Sequence, residues 1–188
     1  MAYYSEEELK NMGIRFIGKN VKISTKASLY FCDQIEIGDN SRIDDFCIVS
    51  GKVKIGRNVH ITPFCLLDAG DITIVIEDFS TLAYRVTIFT RSDDYSGETL
   101  TNSTIPLKYR FKTKKEPVII KKQSIIGAGS IIFPGVTLEE GTSIGAMSLV
   151  TKSTQPWSIY FGIPAKKIKD RMKLLLEQEK EYLNEYNN

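Results

Sequence analysis

The sequence predicts a mainly β fold, a parallel prism of stacked coils, because three features recur together. Aliphatic anchors return at every sixth position: Ile17, Ile23, Leu29; Ile37, Ile43, Val49, Ile55, Ile61, Leu67; Ile76, Leu82, Ile88; and Ile120, Ile126, Ile132, Leu138, Ile144, Val150. Four residues after an anchor the side chain is usually small or β-branched, as at Val21, Ala27, Ser41, Cys47, Val59, Cys65, Ser80, Ser130, Thr142 and Ser148. A glycine often follows the anchor directly, as at Gly18, Gly38, Gly56, Gly127 and Gly145. A period of six is neither the 3.6 of a helix nor the plain alternation of a strand. It suits short flat strands joined by tight corners, three strands to a coil, with the anchor and the small residue both pointing inward. Coils about 4.8 Å apart then pair their backbones in parallel above and below. Stacking buries a core that no single repeat can bury alone.

Taken in order, the chain divides into three segments. Residues 1–16 read as a helical cap: "SEEE", Ser5 to Glu8, is a capping box, and Gly13 can end the helix it starts. Residues 17–155 hold the eighteen anchors, enough for about six coils, interrupted by a loop at 93–117. Cys47 and Cys65 fall at equivalent inward positions one coil apart and read as core filler. Between Ile88 and Ile120 the rhythm stops, at "IFTRSDDYSGE". A loop longer than about 15 residues inside a compact domain is usually either functional or disordered. Residues 156–188 form an extension. After Pro164 the pattern turns helical through "AKKIKDRMKLLLEQEKEYLNEY". Ile168, Met172, Leu175, Leu176 and Leu183 form its expected apolar stripe, and the helix is expected to close the open end of the prism.

Bulk properties narrow the function classes. A net charge of +2 over 188 residues carries no nucleic-acid signal. No apolar run approaches the roughly 18 residues that span a membrane. The start, "MAYYSEEELKNMG", is polar and acidic, unlike a secretory signal, so a cytoplasmic protein is expected. Cys32, Cys47 and Cys65 are odd in number and lack metal-ligand spacing; free thiols in a reducing compartment are expected, and no metal.

The hexads, with "IIGAGSIIFPGVTLEEGTSIGAMSLVTKS" and then "FGIPAKKIK", resemble the hexapeptide-repeat acyltransferases, a family of left-handed parallel β-helices that includes sugar O- and N-acetyltransferases. The left hand comes from the resemblance; the general crossover rule would give the opposite one. The resemblance implies a homotrimer with active sites between neighbouring prisms and acetyl-CoA as co-substrate, lying along a groove between two C-terminal halves. It places Ala128 and Ala146 against the pantetheine arm, where only a small residue lets a thin ligand lie flat. Thr151 and Lys152 follow in "VTK". Lys166 and Lys169 match basic positions that meet the adenosine phosphates, with lysine where relatives often have the forked arginine. Ile125 stands where some relatives carry an aromatic.

In O-acetyltransferases of the family, a loop leaving the prism near residue 93 carries the histidine that takes the acceptor's proton. Here Asp93 stands in that place. The chain's one histidine, His60, ends the hexad that starts at Ile55 and is expected at a corner, pointing outward. Two residues on, Thr62 matches a site that relatives fill with asparagine near the thioester. A hydroxyl needs a base in the transition state, whereas an amine is a good nucleophile once its ammonium proton is gone. An acidic pocket suits an ammonium, and two adjacent carboxylates raise the proton affinity of one of them. The expectation is therefore an amino-sugar acceptor, with Asp93 or Asp94 and His60 orienting and deprotonating the amine. Backbone N–H groups and Thr62 would stabilise the oxyanion.

The form "SDDYSG…LTN" also resembles acetyltransferases of nucleotide-linked 4-amino-4,6-dideoxyhexoses from surface-polysaccharide pathways. This implies substrate contacts from Tyr95, Ser96 and Asn102, with the basic "LKYRFKTKK" nearby. The competing readings are an O-acetyltransferase using His60 as base and a non-catalytic β-helix scaffold. A zinc lyase of the same fold needs three histidine ligands, which a single His60 per chain does not supply.

Overall fold

The computed structural model describes residues 2–186. Met1, Asn187 and Asn188, at the ends of the segments expected at 1–16 and 156–188, lie outside the described residues. The chain winds as a parallel β-helix whose anchors form three ladders. On the first face Ile17 pairs with Ile37, then Ile55, Ile76, Ile120 and Leu138. The second face runs Ile23, Ile43, Ile61, Leu82, Ile126, Ile144 and Tyr160. The third runs Leu29, Val49, Leu67, Ile88, Ile132 and Val150. Every anchor from the second coil onward is buried, while Ile17 and Leu29 at the open first coil are half-buried. The small residues fill the corners from inside, and their hydroxyls are bonded. Ser41 Oγ donates to Gly56 O at 2.7 Å and accepts from Val59 N at 3.0 Å. Ser130 Oγ does the same between Gly145 O and Ser148 N, at 3.0 and 3.2 Å. A buried hydroxyl left unpaired would cost free energy, so serine is tolerated here only because each coil offers it the next coil's backbone.

The corners need left-handed backbone. Between the first and second faces Asn20, Asn40 and Asn58 adopt φ of 54°, 57° and 54°, a region where asparagine is the least penalised residue with a side chain. Between the second and third faces the same conformation falls on Phe46, Phe64, Arg85, Gly129 and Met147. The third corner behaves differently. Every departure from the six-residue rhythm between the anchors falls there: Leu29 to Ile37, Leu67 to Ile76 and Ile88 to Ile120. Its stacked glycines leave no room, since a Cβ on Gly51 would sit 2.3 Å from Gly70 O. The long loop thus leaves from the one edge that already accepts insertions. Its stem is a two-stranded ribbon, Arg91–Ser92 against Lys114–Lys115. Ion pairs from Arg91 to Asp68 at 3.5 Å and from Lys115 to Asp71 at 3.0 Å tie the stem to the coil below.

Helix α1 (Glu6–Asn11) has the full capping box, Ser5 and Glu8 bonding each other's backbone, and stops at Met12 before Gly13 with φ +70°. Its Leu9 is buried against the first coil. The C-terminal segment corrects the expected helix. Residues Lys166–Asp170 form a strand that turns back antiparallel on Ser158–Phe161, and helix α2 begins only at Leu175 and runs to Tyr186. Ile168 and Met172 are therefore exposed, at 59% and 78%, instead of lining a stripe. The last coil leaves a free row of backbone donors and acceptors, and pairing that edge outweighs local helix propensity. Nor does α2 close the end of the prism. It lies along the asparagine corner, with Tyr182 edge-on to Phe79 at 5.9 Å and its hydroxyl 3.3 Å from Asn58 Oδ1. Glu179 is buried there between Lys122 and Gln123. Among the described residues no helix is long and apolar enough to cross a membrane.

Candidate active site

The second face carries an outward ladder one residue before its anchors: Lys22, Arg42, His60, Thr81, Ile125, Ser143 and Ile159. His60 is therefore a strand residue, in His60–Ile61, and not a corner residue as expected. It still points outward, with its side chain 40% exposed. Its Nε2 lies 2.9 Å from Asp44 Oδ2. Asp44, one coil below, is itself almost fully buried, and its Oδ1 accepts from Arg42 Nε at 2.6 Å. The Arg42 guanidinium lies 5.6 Å from the Tyr3 ring centre. Beside this cluster Thr62 is buried, and its hydroxyl donates to Leu82 O at 2.9 Å. That proton is committed to the prism, so a role for Thr62 in stabilising an oxyanion would require it to leave Leu82.

The loop holds the two aspartates differently. Asp94 Oδ1 accepts from Ser96 N at 2.9 Å and Ser96 Oγ at 2.7 Å; Oδ2 accepts from Glu98 N at 3.0 Å and Thr99 N at 3.1 Å. These donors, the Ser96 hydroxyl and amide foremost, hold its carboxyl down at about 2. The expectation that adjacency raises a carboxyl's proton affinity thus fails for Asp94: four donors outweigh one like charge. Asp94 folds the loop. Asp93 makes one such bond, Oδ2 accepting from Asn102 N at 3.0 Å. Asn102 has φ +71°, and its Oδ1 accepts from Thr104 N at 2.9 Å. Tyr95 is 94% exposed and Ser96 is exposed beside it. Within one chain the loop stem stands on the third corner and His60 on the second face, so the fold by itself does not bring Asp93 and His60 together.

Ala128 and Ala146 stack at the corner between the second and third faces, with Met147 N donating to Ala128 O at 2.8 Å. Together with Phe64, Tyr84, Arg85, Gly129 and Met147 they line a groove of about 400 Å³. The glycines that precede the two alanines keep the coils close, since a Cβ on Gly127 would lie 2.4 Å from Ala146 N. Ile125 is exposed on the adjoining face. Thr151 and Lys152 are exposed just after the last anchor. Lys166 pairs with Phe161 and Lys169 with Ile159, with one extra residue, Ile168, bulged between Lys167 and Lys169. Without the bulge, lysines three apart would face opposite sides of the strand; the extra residue turns both to one side. A larger cleft, about 600 Å³, lies by α1 among Leu9, Phe16, Ile17 and Asp39, away from all these residues. Among the described residues no group of three His, Cys, Asp or Glu side chains is placed to hold a metal ion.

Two features escaped the sequence reading. Asp44 and His60 are sixteen positions apart, one eighteen-residue coil less two, so their contact follows from the repeat once outward positions are compared between coils. Phe64, Tyr84 and Arg85 sit at the same corner as Ala128 and Ala146, one and two coils below Ala128.

A family model for the bacterial transferase hexapeptide (six repeats) matches residues 34–69. The dTDP-4-amino-4,6-dideoxy-D-glucose acyltransferase of Escherichia coli is 43% identical over 183 residues, 95% of this chain and 94% of that protein. Among solved structures, AntD, an N-acyltransferase from Bacillus cereus in complex with dTDP and 3-hydroxybutyryl-CoA, matches with a TM-score of 0.96 at 47% identity, over 99% of this chain and 98% of that one. A variant of AntD in complex with dTDP-4-amino-4,6-dideoxyglucose and coenzyme A matches with a TM-score of 0.95 at 48% identity, over 97% of each chain. With the repeat running through the whole prism and a relative matched along nearly its entire length, the chain belongs to the hexapeptide-repeat acyltransferases.

Proposed function

We propose that this protein transfers an acetyl group from acetyl-CoA to the amino group of a nucleotide-linked 4-amino-4,6-dideoxyhexose. One observation carries the reading: relatives matched along nearly the whole chain act on, or bind, dTDP-linked 4-amino sugars; Asp93 standing where the family resemblance implies a histidine in hydroxyl-acylating members agrees with it. CoA is proposed to lie along the Ala128–Ala146 groove, its phosphates meeting Lys166 and Lys169 and its arm passing Thr151 and Lys152. The assembly is a homotrimer in which the loop of one chain faces His60 of the next, and Asp93, Tyr95, Ser96 and Asn102 meet the sugar nucleotide. Asp93 attracts the ammonium and His60 takes its proton. The free amine then attacks the thioester carbonyl carbon and forms the C–N bond. Collapse of the tetrahedral intermediate breaks the C–S bond, and the thiolate leaves with a proton as CoA thiol. The product is an amide. The proposed setting is the cytoplasm, in assembly of a surface polysaccharide such as O-antigen or capsule.

The test is release of free thiol from acetyl-CoA with a dTDP-4-amino-4,6-dideoxyhexose against its 4-hydroxy analogue, with 3-hydroxybutyryl-CoA run in parallel. Thiol release with the amine at a rate well above the hydroxyl supports the reading. A second reading, O-acetyl transfer with His60 as base, draws on the contact between His60 and Asp44; reaction with the hydroxyl alone would establish it and remove the first.

A further inference from the structure

We infer that Asp44 positions the His60 imidazole and fixes its proton on Nε2, so that Nδ1 is the nitrogen that takes the acceptor's proton. The inference rests on the reading of His60 as that proton's destination. A carboxylate oxygen only accepts, so the 2.9 Å contact with Asp44 Oδ2 is a bond donated by His60 Nε2. One neutral tautomer satisfies this, and it leaves the Nδ1 lone pair open. The second oxygen is not idle: Arg42 Nε donates to Oδ1 at 2.6 Å, and the Asp44 amide donates to Ile61 O at 3.0 Å in the ladder. The carboxylate is thus held at both ends and by its backbone.

The placement is unusual for this face. At the same register, the other five anchors of this face are followed by Ser24, Thr62, Ala83, Gly127 and Gly145, all small and uncharged. An acid with only 3% of its side chain exposed is costly unless its partners compensate. Asp45 is no substitute, since it is bonded to Ser24 and paired with Lys26 at 3.6 Å. A staple for Arg42 alone would not need the second oxygen aimed at an imidazole. Around the ring stand Arg42 below, Thr81 above and Asp44 at the diagonal.

His60 is the single histidine of the chain, so ¹⁵N-histidine labelling gives one imidazole. In the wild-type trimer the neutral ring is expected to show a protonated Nε2 and a bare Nδ1, a result that needs no substitution and so does not depend on a variant folding. Asp44→Asn is expected to populate the other tautomer and to lower kcat about 10²-fold, with KM for either substrate changed less than about threefold; Asp44→Glu restores part of kcat. His60→Gln is measured alongside. A wild-type ring protonated on Nδ1 overturns the inference, as does Asp44→Asn retaining kcat while His60→Gln loses it. If His60→Gln itself keeps full kcat, the reading beneath the inference fails, and the inference with it.

Discussion

The second-face ladder and the loop at 93–117 hold the side chains proposed for the site in two different ways. In the ladder, His60 inherits its place from the repeat: backbone pairing with Arg42 and Thr81 fixes the strand, and a buried carboxylate fixes the ring. In the loop there is no ladder, and side chains must supply the scaffold. Asp94 does this, gathering Ser96, Glu98 and Thr99 around one carboxylate and leaving its neighbour Asp93 with a single bond. The doubled acid is thus a division of labour, one residue building the loop and the other presented by it. A repeat makes positions cheaply; an excursion from it must spend a residue on folding for each residue it presents.

The largest effect is expected at the ladder. His60→Gln is expected to lower kcat/KM by about 10²–10⁴-fold with a melting temperature little changed, because the glutamine amide can still donate to the buried Asp44 carboxylate; steady-state kinetics and calorimetry together check it. At the groove, Ala128→Phe places a ring where the pantetheine arm is to lie and should raise KM for acetyl-CoA at least about tenfold, with KM for the sugar nucleotide little moved. Lys166→Ala with Lys169→Ala should raise KM for acetyl-CoA roughly three- to fivefold, an effect that shrinks as salt rises, since both charges are exposed. The smallest effect belongs to the loop. Asp94 has a carboxyl held at about 2 in the folded loop, below the ordinary carboxylate value of 3.8. Its contribution is therefore present above that ordinary value and is lost as pH falls toward 2. Protease cleavage or hydrogen exchange confined to 93–117 should rise over that window while the coils stay protected, and Asp94→Asn should show the raised exchange already at neutral pH.

Much of this was legible in the sequence, and the reasons are physical. All eighteen anchors fall in the three ladders because a parallel coil gives every sixth residue the same environment. The small inward residues mark corners where nothing larger fits. What escaped was whatever depends on edges. The segment after Pro164 has a helical spacing of apolar residues, yet the free edge of the last coil recruits Lys166–Asp170 as a strand, and only α2 beyond it is helical. Counting the hexad from Ile55 puts His60 at a corner; pairing with Arg42 and Thr81 sets the strand around Ile61 instead. The state of Asp94 depends on backbone amides up to five residues on, which spacing alone does not reveal.

In the proposed trimer the ladder and the loop meet between chains, His60 from one subunit and Asp93 from its neighbour. Subunit mixing tests it directly. His60→Gln and Asp93→Asn variants are each expected to be nearly inactive; unfolded together and reassembled as mixed trimers, they should regain about a quarter of wild-type activity, since roughly one interface in four then joins an intact His60 to an intact Asp93. Activity of the mixture no greater than that of the separate variants, with mixed trimers demonstrated by mass, would contradict it.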